Sequence, residues 1–175
     1  MQKFLVLLVF VGLLSFPLVA EDFPKAEIYG GYQYMRLTNI DNSGININGN
    51  GWTASLTGNF NRVFGVVGDF GGAYKTISGV DTKVYTYTGG PVANLNSGGT
   101  INPFVHALFG GTHFTASNGG STSANGFTMM YGGGVDVKMT KILALRGQAD
   151  WVYFHVSGVS LSNNVRLSTG IVLRF

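Results

Sequence analysis

Alternation of period two runs through this chain, and its two parities hold different chemistry. In LRGQADWVY, residues 145–153, Leu145, Ala149, Trp151 and Tyr153 share one parity, and Arg146, Gln148 and Asp150 share the other. Trp52, Ala54, Leu56 and Phe60 likewise oppose Thr53, Ser55, Thr57 and Asn59, and Phe64, Val66 and Phe70 oppose Asp69. Val135 and Val137 oppose Asp136 and Lys138. Such alternation predicts β-strands, whose successive side chains point to opposite faces. A soluble sheet buries its apolar parity and wets its polar one. Here the polar parity is too rich in charge for a dry core, and the apolar parity carries large rings. The pattern predicts a barrel turned inside out, with lipid outside and a polar lumen.

Eight segments carry the alternation: 26–37, 50–60, 63–75, 83–93, 102–114, 126–138, 142–154 and a last one ending at Phe175. Each has the ten or so residues that a tilted membrane strand needs. The connections after the first, third, fifth and seventh segments are polar and mostly long. Those after the second and sixth are two or three residues, and the one after the fourth is longer. An even number of strands with long loops at one end and short turns at the other predicts an all-β, eight-stranded antiparallel transmembrane β-barrel. Aromatic residues gather near the strand ends. Trp52, Tyr74, Tyr85, Tyr87, Trp151 and Tyr153 stand towards the long loops, and Phe60, Phe64 and Phe175 towards the short turns. Two such belts match the girdles at the two membrane–water interfaces.

Both ends of the chain fit an exported membrane protein. Residues 1–20 read as a signal peptide: Lys3, an apolar run from Phe4 to Leu14, then Pro17 and a small residue, Ala20, before acidic residues. Residues 21–175 then form one barrel domain. The absence of cysteine excludes a disulfide framework, a thiolate metal site and a cysteine nucleophile. The net charge of +3 is dispersed, so no nucleic-acid patch is read from it. In the closing segment Ile171, Leu173 and Phe175 face lipid while Arg174 faces inward. A strand that ends the chain has to pair, and pairing with the first strand leaves no free edge.

The terminal phenylalanine with its alternating apolar residues resembles the assembly signal of bacterial outer-membrane barrels. Segments such as VYTYTGGP and NPFVHALFGGTHF resemble the OmpA/OmpX-like eight-stranded outer-membrane β-barrel family. The resemblance implies an integral protein of the Gram-negative outer membrane, surrounded by lipid and lipopolysaccharide and handled by the barrel-assembly machinery. It further implies loops available to a surface ligand, no cofactor, and a structural or adhesion-like role rather than an enzymatic one. OmpA itself carries a peptidoglycan-binding domain after its barrel, whereas this sequence stops at Phe175.

Three features bear on chemistry. The Gly pairs lead into no helix, which a phosphate-cradling loop requires. His155 and Ser157 resemble the His-x-Ser element of lipid A deacylases, but no Asp or Glu follows Asp150 to orient the histidine. His106 and His113 fall on opposite faces and cannot share a metal. The inward charges are more coherent: Glu27, Asp69, Asp136 and Asp150 against Lys138, Arg146, Arg166 and Arg174. Buried charges persist when paired, and an eight-stranded barrel is wide enough only for its own side chains. A plugged, ion-paired lumen is the reading, with a small channel and a lipid-modifying enzyme as the other classes.

Overall fold

Each alternating segment is a strand in the computed structural model, which describes residues 23–40, 45–77, 80–117, 121–156 and 158–175. In chain order the strands are β1 (Ala26–Ile40), β2 (Ile45–Asn59), β3 (Phe64–Ile77), β4 (Val80–Asn94), β5 (Ile101–Ser117), β6 (Ser121–Lys138), β7 (Leu143–Val156) and β8 (Val159–Arg174). They form one closed barrel in sequence order. Every neighbouring pair is antiparallel, including β1 with β8, where Glu27 stands opposite Arg174 and Gly31 opposite Gly170. The expected signal segment, residues 1–20, lies outside the described residues.

The closing seam is tied at its end by the backbone. Phe175 donates to the Ala26 carbonyl at 2.9 Å and accepts from the amides of Lys25 and Ala26 at 2.7 and 3.1 Å. At the same end lie the turns 60–63, 95–100 and 139–142. Asn61 builds the first of them: its side-chain oxygen accepts from the amides of Val63 and Phe64, each at 2.8 Å. Thr140 does the same for the amides of Ile142 and Leu143 at 3.3 and 3.1 Å.

At the opposite end the strands run further than expected. They span 14–18 residues, where a membrane strand needs about ten. The polar stretches read as long loops are largely paired hairpin extensions, so only 41–44, 78–79, 118–120 and 157–158 separate the strands there. Polar residues on both faces do not stop a ladder whose backbone groups still need partners.

The extension changes which face is apolar. Along the lower strands Leu56, Phe70, Val105, Leu145 and Ile171 are exposed on the outside while Asp69, Asp136 and Arg146 are buried inside. Above the girdle Met35 and Leu37 turn inward and Arg36, between them, outward. Aromatic rings mark the changeover. Tyr32 donates to Asn50 Oδ1 at 2.7 Å, Trp52 Nε1 to the Tyr74 hydroxyl at 3.0 Å, and Trp151 Nε1 to the Ser162 carbonyl at 2.6 Å. Each ring stands exposed on the outer face with its polar tip satisfied, as interfacial Trp and Tyr do.

Candidate functional site

The lumen is filled in layers. Nearest the turns, Asn94 Nδ2 donates to Asn59 Oδ1 and Asn102 Nδ2 to Asn94 Oδ1, both at 3.1 Å. Asn59 also donates to the Pro24 carbonyl at 2.9 Å. Three buried amides thus close the lower mouth.

Above them lies a cluster of two acids and two arginines. Strand register supplies two of the pairs directly, since Asp136 stands opposite Arg146 and Glu27 opposite Arg174. Arg146 grips Asp136 with Nε at 2.7 Å and Nη2 at 2.8 Å, and its Nη2 also reaches Glu27 at 3.1 Å. Arg174 Nη2 donates to Asp136 at 2.8 Å, and its Nε lies 3.3 Å from Glu27. The Arg146 guanidinium further lies 4.5 Å from the centre of the Phe104 ring and 5.2 Å from that of Tyr29, within cation–π range.

A second cluster is centred on Arg166, which has no exposed surface. Its Nε donates to Asp150, the residue opposite it in register, at 2.8 Å. Its Nη1 crosses the lumen to Asp69 at 2.6 Å. Asp150 also accepts from Gln148 at 2.8 Å and lies 2.7 Å from His106 Nε2. Gly132 lets His106 and Asp150 meet. It stands between them in the β5–β6–β7 row, and a Cβ there would collide with the Asp150 carboxylate and the Ala149 carbonyl.

The interior above the ion pairs departs from the polar lumen expected from the alternation. Met35, Leu37, Ala73, Val84, Leu108, Met130, Val152 and Phe154 belong to one buried apolar cluster, which continues down beside the ion pairs through Val67, Val92 and Phe104; Phe114 stands edge-on to Phe154 at 5.4 Å. Outside lipid the ordinary rule returns, and the barrel buries apolar side chains in its own core. Beneath this layer Gln33, Thr86, Thr88 and Ser168 are buried with polar side-chain atoms that have no hydrogen-bond partner in the protein. Lower down, beside Asp69, His106 and Arg146, the open volume is about 10 Å³, room for about one water molecule.

Of the eight charged residues expected in the lumen, seven meet in these two clusters. Lys138 does not: it is exposed and enters none of these ion pairs. It has the inward parity, but it stands two residues beyond Asp136 at the end of β6, past the point where the wall encloses it. His106, set aside as a ligand, is the residue the alternation did not single out. Ile171, Leu173 and Phe175 are exposed on the outer face, as expected of lipid-facing residues. His113 faces outward, with Nδ1 at 2.6 Å from Asn125 Oδ1. His155 is exposed, and its Nδ1 lies 2.9 Å from Ser160 Oγ; Ser157 lies outside the described residues.

Residues 4–175 match the family model of the outer membrane protein beta-barrel domain. The chain belongs to that family. It is an integral barrel of the Gram-negative outer membrane, crossing it with strands. Among solved structures it is similar to Neisserial surface protein A, at 16% identity and a TM-score of 0.75 over 86% of this chain and 97% of that one. It is also similar to Ail, the attachment invasion locus protein of Yersinia pestis, at 23% identity and a TM-score of 0.64 over 87% and 99%. The N-terminal barrel of Pseudomonas aeruginosa OprF follows at 8% identity and a TM-score of 0.60 over 87% and 99%. No curated protein matches the chain by sequence.

Proposed function

We propose that this protein is a closed wall element of the outer membrane that contacts partners through its extracellular collar and passes no solute through its lumen. The stacking of an amide layer, two ion-paired clusters and an apolar layer supports the closed reading. An ion entering such a lumen would have to displace partners that compensate buried charge and then cross a layer with nothing to replace its hydration shell. The collar supports the contact role, because strands that outrun the bilayer carry Arg36 and Lys83 on an exposed outer surface. A structure of Ail, at 24% identity, holds the heparin analogue sucrose octasulfate, and a sulfated glycan is the ligand class we test for the collar here. Purified protein in planar bilayers should show no discrete conductance steps, and vesicles containing it should retain heparin. Ohmic steps from the wild-type barrel would sink the closed reading. Retention unchanged in an Arg36→Gln/Lys83→Gln variant would sink the contact reading.

Residues 1–20 act in this reading as the removable signal peptide, and Ile171, Leu173 and Phe175 as the signal read by the barrel-assembly machinery. Deleting Phe175 removes a lipid-facing ring together with the last backbone hydrogen bonds of the seam. Cells producing that variant should accumulate little of the heat-modifiable folded form in the outer membrane. Wild-type amounts of it would refute the assembly role.

A further inference from the structure

Charge is sorted between the inside and the outside of this barrel. Among the described side chains every carboxylate (Glu27, Asp69, Asp136 and Asp150) points into the lumen. The cations outside it include four at the end where the turns 60–63, 95–100 and 139–142 lie, the periplasmic end in an outer-membrane barrel: Lys25 before β1, Arg62 in the β2–β3 turn, and Lys138 and Lys141 at the β6–β7 turn, all exposed. The apolar residues around them are unusually bare for turns. Phe60 is 69% exposed and Val63 43% on either side of Arg62, and Met139 at 59% and Ile142 at 63% bracket Lys141. Leu95, in the remaining turn, is 66% exposed.

We propose that this rim binds the headgroups of anionic phospholipids in the periplasmic leaflet. Turns built for water carry polar tips, whereas 60–63 pairs bare apolar side chains with the Arg62 guanidinium and 139–142 with the Lys141 amine. That combination suits the boundary between acyl chains and phosphates, where the apolar group dips in and the cation reaches out to the phosphate. The bare residues lie on three separate turns around the barrel rather than on one patch, which fits an annulus of lipid better than a single protein partner. With the described acidic side chains held inside, no described Asp or Glu at the rim competes with the lipid phosphate for Lys138 and Lys141; the main-chain carboxylate of Phe175 lies at the β1–β8 seam, beside the amides of Lys25 and Ala26. The inference is independent of whether the lumen conducts or the collar binds a ligand.

The test uses the full barrel in phosphatidylcholine vesicles containing a minor fraction of phosphatidylglycerol, extracted into mild detergent. Native mass spectrometry then counts the lipid retained on each protein. Phosphatidylglycerol should be enriched over its share of the vesicle, and each rim lysine should contribute about fivefold in affinity at low salt. Lys138→Gln/Lys141→Gln should lose the enrichment, Lys138→Arg/Lys141→Arg should keep it, and Lys83→Gln at the opposite end should not change it. A heat-modifiable gel shift verifies that each variant is folded. No enrichment on the wild type, or enrichment undiminished in the glutamine variant, overturns the proposal. Loss in the arginine variant or in Lys83→Gln overturns it as well. Lysine-dependent binding to peptidoglycan without lipid enrichment would assign the rim to the cell wall instead.

Discussion

Arg166→Leu will lower the unfolding free energy of the barrel in liposomes by about 3–5 kcal/mol, the usual cost of removing one partner of a buried ion pair. Arg166 is fully buried and is the only arginine of its cluster, so its loss strands Asp150 and Asp69 together. His106 and Gln148 still hold Asp150, but Asp69 keeps only a 3.4 Å contact from Thr53. Urea unfolding followed by tryptophan fluorescence and gel mobility will report the loss. Adding Asp69→Asn to Arg166→Leu removes one stranded charge and should recover part of it. The result also separates a plugged lumen from a wet one. If water filled the interior, screening would reduce the cost to about 1 kcal/mol or less, and a change that small would refute the buried network. Arg146→Leu offers a comparison, because Arg174 remains to hold both Asp136 and Glu27 and should soften the effect.

Gly170→Val will keep most of the chain from closing. Gly170 and Gly31 face one another across the β1–β8 seam, and a Cβ at Gly170 would fall on the Gly30 carbonyl oxygen and on Gly31 Cα. An overfilled core costs about 1–3 kcal/mol when side chains can shift. Here main chain meets main chain, so relief requires the seam itself to open and the cost should reach the top of that range or exceed it. The expected result is a refolding yield, read as heat-modifiable protein, well below wild type. Gly147→Val is the control: it stands one strand away, with nothing within 4 Å of its added Cβ, and should refold normally. Equal yields would show that the seam tolerates the side chain.

The fold was legible because the alternation is nearly unbroken and because charge and rings sort by parity in several strands at once. Parity tells which face a residue takes, but not how deep in the barrel it stands. Lys138 illustrates the limit, having the right parity one step beyond the enclosed lumen. Register is the other missing quantity. His106 meets Asp150 because Gly132 stands between them, and nothing in a single sequence aligns those three rows. The apolar layer had a local signal in QYMRL, where Met35 and Leu37 alternate with Arg36 in the reverse sense to the strands below. It was hidden by the assumption that one rule holds along a whole strand. The polar stretches misread as loops have the same origin, since a strand outside the bilayer no longer needs an apolar face towards lipid.

That reversal along the strands also determines how deeply the barrel floats. Sliding it by two residues along tilted strands would move it roughly 5 Å through the membrane. Sinking would press Arg36 and Lys83 towards hydrocarbon, and an arginine or lysine at the bilayer midplane costs about 2–4 kcal/mol. Rising would lift Leu56 and Phe70 towards water and draw the rim lysines inward. Bilayer deformation is cheaper, at fractions of a kcal/mol per Å of mismatch. When thickness and barrel disagree, it is therefore the membrane that yields. Each copy carries a collar of lipid adjusted to its own height, and crowded copies would share those collars, imposing a common thickness on the patch they occupy.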